Sequence, residues 1–274
     1  MRQYIEEIHC AHAASEGSGS GFLVSGIQVS FGDEHLGGKL YTPVGPGPWP
    51  LVICSHGFTG TYENLVSTCE MLTQIGVAGL CFDFRNGTGS LSSGDFLKMS
   101  VETEVMDLTL LTSYCQHLPV IRPDKIVLLG HSQGGLVSAL TAARHPDAAA
   151  GLILVYPAFS IVDDVHSRFP DRDHLPDTYS VLGATVGRPF AEDIWDLDVY
   201  SEIAAYRKPV LIMHGTDDEI VDISCSERAA GIYSQATFIP IEGAGHGFRG
   251  DALQKSFAAI RKYLQDIGMA GSPG

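Results

Sequence analysis

Gly130-His131-Ser132-Gln133-Gly134-Gly135 combines residue types and spacing that suit one kind of chemistry. Glycines stand two positions before and after the serine. An apolar, β-branched run (Lys125 to Leu129) precedes the motif, and a longer apolar run (Leu136 to Ala143) follows it. That order reads as a buried strand, a sharp turn and a buried helix. The glycines remove Cβ atoms that would collide as the chain reverses, which leaves the Ser132 hydroxyl exposed above the strand end. A hydroxyl is a poor nucleophile near neutral pH, so it needs a base within hydrogen-bond reach and an acid to orient that base. The chemistry implied is acyl transfer, with Ser132 attacking a carbonyl carbon.

The base and acid are sought on loops at the carboxyl ends of later strands, in the order Ser, acid, His. Of eleven histidines, His246 alone lies beyond the late acidic loop, in Gly243-Ala244-Gly245-His246-Gly247-Phe248. The acid is expected in His214-Gly215-Thr216-Asp217-Asp218-Glu219, with Asp218 the first choice and Asp217 the second. The oxyanion of a tetrahedral intermediate requires preorganised donors. The backbone amides of Gln133, just after the nucleophile, and of Phe58, in the His56-Gly57-Phe58 loop, are the candidates. His56 and His131 are expected to be structural. The spacing of His214, Asp217, Asp218 and Asp222 fits neither a zinc nor a calcium motif, so no metal and no cofactor is expected.

These groups need a scaffold. Residues 26–43 alternate in polarity around the turn Gly32 to His35 and read as an antiparallel hairpin. Apolar strands are expected at 51–55, 78–82, 125–129, 152–156, 209–214 and 236–240. Helical runs fall between them at 65–75, 101–118, behind Ser132, and at 251–266. Strands that are apolar throughout and alternate with helices imply an α/β fold, here a mostly parallel eight-stranded sheet with helices on both faces. Between Pro157 and Pro209 the rhythm breaks for about 50 residues, which is too long for an ordinary connection. A small inserted cap at about 158–207 is expected over the site. Residues 1–24 read as a flexible arm, 25–267 as the domain, and 268–274 as a disordered tail.

Bulk properties narrow the partners. The 274-residue chain carries a formal charge of −15 and is 45% apolar, enough for a sizeable core and opposed to binding nucleic acid or anionic membrane. Six cysteines lie at 10, 54, 69, 81, 115 and 225 without CxxC spacing, as expected of reduced core residues. With no export signal and no transmembrane-length apolar run, a soluble cytoplasmic protein acting on a small molecule is expected, with homodimerisation left open.

Taken together, these residues resemble the α/β-hydrolase superfamily over about residues 25–267, and more narrowly the bacterial cinnamoyl (feruloyl) esterases that carry a short inserted cap. The narrower similarity rests on His56 to Gly60, Asp83-Phe84-Arg85 with Gly89-Ser90 and Gly94-Asp95-Phe96, Leu175-Pro176-Asp177, Asp198-Val199-Tyr200, and Lys208 to Asp218. The resemblance implies a serine carboxylesterase for small aromatic or short-chain acyl esters; thioesterase, acyl-peptidase and a silent ligand-binding protein share its scaffold. It also implies that an aspartate early in the cap, here Asp164, and an aromatic residue further on, here Phe190, hold the phenolic end of a hydroxycinnamoyl group. Relatives place a tyrosine at the second position. Phe190 keeps the ring and lacks the hydroxyl. The chain departs again at Asn86-Gly87-Thr88-Gly89, where relatives carry Gly-His-Gly.

Overall fold

The computed structural model describes residues 14–15 and 21–270. The chain opens with β1 (Ala14–Ser15), β2 (Phe22–Phe31) and β3 (Glu34–Pro43), antiparallel neighbours. Then β4 (Trp49–Ser55), β5 (Ala78–Phe82), β6 (Ile121–His131) and β7 (Gly151–Val155) alternate with α1 (Val66–Thr73), α2 (Val101–Gln116) and α3 (Gln133–Arg144). Between β7 and the next sheet strand the chain forms α4 (Ile161–Arg168), a two-stranded hairpin of β8 (Thr178–Val181) and β9 (Ala184–Gly187), α5 (Pro189–Glu192) and α6 (Val199–Ile203). The sheet resumes with β10 (Val210–Gly215), followed by α7 (Ser224–Ile232), β11 (Ala236–Ile241) and α8 (Gly250–Asp266).

The sheet order is β1-β2-β3-β5-β4-β6-β7-β10-β11, and the stretch from β5 to β11 is parallel. The eight expected strands are present, and β1 adds a two-residue ninth at the edge. Alternate side chains of each central strand feed two cores. Leu51, Ile53, Leu128, Leu152, Leu154 and Ile212 pack with α2 and α3 on one face. Val52, Cys54, Val127, Leu129, Ile153 and Met213 pack with α1 and α8 on the other. Burial on both faces is why these strands are apolar throughout. The five described cysteines are free thiols, four of them buried.

Both expected chain ends need correction where they are described. Phe22 to Val24, assigned above to the arm, begin β2, and Ala14 and Ser15 pair with Ser25 and Val24; the rest of the arm lies outside the described residues. Gly268 to Ala270, assigned to the tail, continue from α8 by backbone hydrogen bonds of Met269 and Ala270 to Leu264, and the Met269 side chain is buried. The apolar side chain of Met269 explains this, since it finds the same core as α8. Residues 271–274 lie outside the described part.

The hairpin between β8 and β9 turns on Leu182 and Gly183, both left-handed, at φ 46° and 85°. A two-residue turn with positive φ at both positions suits the twist of a hairpin and normally selects Asn-Gly or Asp-Gly. Leucine there costs about 1–2 kcal/mol in backbone strain.

Tyr263 of α8 joins two strands. Its hydroxyl donates to the Pro209 carbonyl (2.7 Å) and accepts from the Leu152 amide (3.0 Å). Tyr263→Phe removes both bonds and is expected to cost about 1–2 kcal/mol, measured as a lower midpoint in urea unfolding.

Candidate active site

The carboxyl ends of β6, β10 and β11 deliver the three predicted residues to one point. Ser132 sits between β6 and α3 with φ 53° and ψ −120°, a strained conformation for a non-glycine residue. The turn closes because its neighbours have no side chains. A Cβ on Gly130 would lie 2.0 Å from the Gly134 carbonyl oxygen, and one on Gly134 would lie 2.3 Å from that of His56.

His246 follows β11. Its Nε2 is 3.0 Å from Ser132 Oγ, and its Nδ1 is 2.8 Å from Asp218 Oδ2. The Asp218 side chain is fully buried. Burial by itself pushes its carboxyl up, but hydrogen bonds donated by the Val221 amide, the His246 ring and the Ile220 amide outweigh burial and hold it below the usual range. Asp218 is therefore an anion aimed at His246. Asp217 is exposed and accepts from Thr216 Oγ1 instead.

The loop after β4 lies against the nucleophile, as a Cβ on Gly57 would fall 3.0 Å from Ser132 Cβ. Phe58, next in that loop, and Gln133, the first residue of α3, line one cavity with Ser132. His56 and His131 take supporting positions. His56 Nδ1 is 2.9 Å from the Gly57 carbonyl, and its Nε2 accepts from the Phe84 amide. Burial lowers the affinity of both rings for a proton, His131 to about 4.

Three residues of the site were given no supporting role from the sequence. His214, wholly buried at the end of β10, places Nε2 2.9 Å from the Val221 carbonyl and 3.1 Å from Asp218 Oδ2, with Nδ1 2.7 Å from Ser226 Oγ. Burial keeps its ring neutral, so Nε2–H is donated to both oxygens and Nδ1 accepts from Ser226. Tyr156, after β7, lies 4.6 Å beneath the His246 ring (centroid to centroid) and pairs with His131 Nδ1 at 3.1 Å. Glu104 of α2 accepts from the buried Gln133 Nε2 at 2.9 Å. The available signal was position, since His214 and Tyr156 are polar residues closing apolar strands at the catalytic edge.

The cavity, about 320 Å³, reaches from Ser132 into the cap, at the small end of the ~300–1,000 Å³ typical of ligand sites. Its wall includes Ile161, Asp164, Val165, Tyr179 and Phe190. Phe190 is buried and stands edge-on to Phe58 at 5.5 Å. Partial burial raises the Asp164 carboxyl, opposed by a hydrogen bond from Ser160 Oγ.

A doubly wound sheet with a strained serine between strand and helix, and a histidine and a buried aspartate arriving from the last two strands, defines an α/β-hydrolase. The chain belongs to the serine aminopeptidase S33 family (Hydrolase_4), whose model matches residues 47–187. It is an esterase/lipase-type hydrolase. Its structure is similar to that of Est1E from Butyrivibrio proteoclasticus with ferulic acid bound (TM-score 0.81, 27% identity, 88% of this chain and 98% of that one). In sequence it is similar to putative esterase/lipase 2 of Mycoplasma pneumoniae (24% identity, 77% of this chain and 88% of the relative) and to human monoglyceride lipase (31% identity, 47% and 41%). Among the described residues no helix is long and apolar enough to cross a membrane.

Glu104 generates a pH prediction. Burial raises its carboxyl from 4.5 to about 8. The folded chain therefore keeps a proton that the unfolded chain releases above 4.5, so stability is lost as pH rises from about 4.5 to 8. Glu104→Gln retains a partner for Gln133 and removes that titration. Thermal melts are expected to show the variant gaining on the parent at pH 8 and matching it at pH 4.

Proposed function

We propose that the protein is a serine carboxylesterase that cleaves small aromatic or short-chain acyl esters through an acyl-enzyme. The observation that carries this reading is the continuous hydrogen-bonded relay from Ser132 through His246 to Asp218 at the floor of a cavity. Ser132 Oγ attacks the ester carbonyl while His246 Nε2 takes its proton. Asp218 fixes the Nδ1–H tautomer and stabilises the imidazolium that forms. The Phe58 and Gln133 amides meet the oxyanion. His246 then protonates the leaving alcohol. Water enters by the same base, releases the acid and restores Ser132.

The cavity takes the acyl side of the ester. The leaving alcohol must sit beside His246 to receive its proton, and Asp164 and Phe190 of the cap line the same cavity as Ser132, Phe58 and Gln133. An acyl group bonded to Ser132 therefore extends into the cap, toward Phe190 and Asp164. The likeness to a feruloyl-binding esterase supports an aromatic acyl group, with Phe190 stacking on the ring and Asp164 reaching its polar end.

A fluorophosphonate probe is expected to label the parent and leave Ser132→Ala unlabelled; an unlabelled parent would refute the reading. Asp218→Ala is expected to lower kcat by about 10⁴-fold, with Asp217→Ala little changed, in assays with p-nitrophenyl acetate. Running feruloyl, thioester and anilide substrates beside that ester separates carboxylesterase from thioesterase and acyl-peptidase. Asp164→Ala is expected to raise KM for hydroxycinnamate esters and leave acetate esters unaffected. Equal effects on both would assign Asp164 a structural role.

A further inference from the structure

We infer that Leu182, at the tip of the cap hairpin, is a specificity-determining residue that folds against the distal part of an apolar acyl chain. The inference rests on the esterase reading and narrows it to acyl groups long enough to span the cavity.

Three observations converge on this residue. Leu182 is 70% exposed and Ile220, on the loop after β10, is 49% exposed, among the few large apolar side chains so open to solvent. Both line the cavity that contains Ser132. They come from different elements, one from the cap and one from the loop that carries Asp218. Together with the half-buried Val181, they form an apolar strip on a cavity whose other exposed lining residues, Asp164, Ser167 and Arg168, are polar or charged. Scattered exposed leucines need no explanation, but apolar residues gathered at the rim of a concave site mark a contact surface.

The backbone strengthens the case. The Leu182-Gly183 turn has positive φ at both positions, where Asn or Asp before Gly satisfies the conformation with less strain. No other side chain would meet a Cβ at Gly183, so the tip projects into open space. Leucine here is disfavoured by backbone conformation and by solvation alike. An acyl chain lying against Leu182 would offset the solvation penalty by taking the side chain out of water.

The occupant follows from the direction of the acyl group. The cavity that holds Ser132 is lined by Phe58 and Phe190 and also by Val181, Leu182 and Ile220. An acetyl group stops at Ser132. An octanoyl or arylpropenoyl group extends to the rim.

Leu182→Asn separates contact from conformation, because asparagine suits the left-handed position better and folding is preserved. With purified full-length enzyme, p-nitrophenyl octanoate and p-nitrophenyl acetate are compared. The expected result is a fall of about tenfold in kcat/KM for octanoate, the scale of a lost apolar contact in a binding pocket. The fall should be carried by KM, with acetate unchanged and Tm equal or higher. Leu182→Met, which keeps the apolar contact, should restore octanoate hydrolysis. Parallel losses on both esters, a loss carried by kcat, or no change on octanoate would overturn the role of Leu182 while the esterase reading stands. A parent that cleaves neither ester and takes no fluorophosphonate would remove both.

Discussion

The site depends on one backbone turn. Ser132 is held at φ 53°, a conformation that costs a non-glycine residue about 1–3 kcal/mol. What holds it there is the rigidity of its flanks. Leu128, Leu129, Leu136, Val137 and Leu140 are all fully buried, and burying each contributes about 1.5–3 kcal/mol. The strand and helix are thus far more costly to displace than the turn is to strain. Backbone bonds pin the turn further. The Ser132 amide donates to the Val155 carbonyl, and the Ser132 carbonyl accepts from Gly135, Leu136 and Ala158. Ser132 is fixed to the end of β7 as well as to its own strand, and the loop carrying Phe58 is packed against it through Gly57.

Around that fixed point the electrostatics are arranged by burial. An isolated buried carboxylate is penalised by several kcal/mol, and hydrogen bonds to a charged group recover about 1.5–3 kcal/mol each. Asp218 receives bonds from the amides of Ile220 and Val221, from His246 and from His214. Enough donors are supplied for the anion to survive out of water. Neutral His214 matters here, because it gives Asp218 a bond without adding a positive charge beside His246. Tyr156, packed under the His246 ring and against Phe248, holds that ring in the plane from which it reaches both partners.

The geometry of the candidate site was legible in the sequence because its parts are local. A nucleophile turn is a short motif, and the strands that carry acid and base announce themselves by continuous apolar runs. Ser132, Asp218 and His246 could therefore be placed from chain order before any distance was known. The supporting residues were not legible, because their roles come from pairings distant in sequence: Glu104 with Gln133, Tyr156 with His246. His214 closes an apolar strand at the carboxyl edge near Asp218, but that position alone does not tell whether its ring faces the site. The cap resisted for a different reason. Its elements are four to eight residues long, and β8 alternates in exposure on a small two-stranded sheet. Short polar elements of that kind share their composition with loops.

What the cap lacks in pattern it gains in anchoring. Arg144, at the end of the nucleophile helix, forks to Glu102 of α2 and to Glu202 of α6, and Ser100, capping α2, donates to Asp193 beside α5 (2.6 Å). A Cβ on Gly187 would collide with the Leu97 carbonyl oxygen at 1.9 Å, so the foot of the hairpin rests directly on the body of the domain. The Arg168 guanidinium ties α4 to the Ser180 carbonyl. The cap is thus joined to the sheet domain at its base and braced within. Inner cavity residues such as Phe190 inherit that rigidity and set a fixed shape near Ser132. The outer turn, by contrast, leaves Leu182 largely in water, so the cap combines a braced wall beside Ser132 with an open tip.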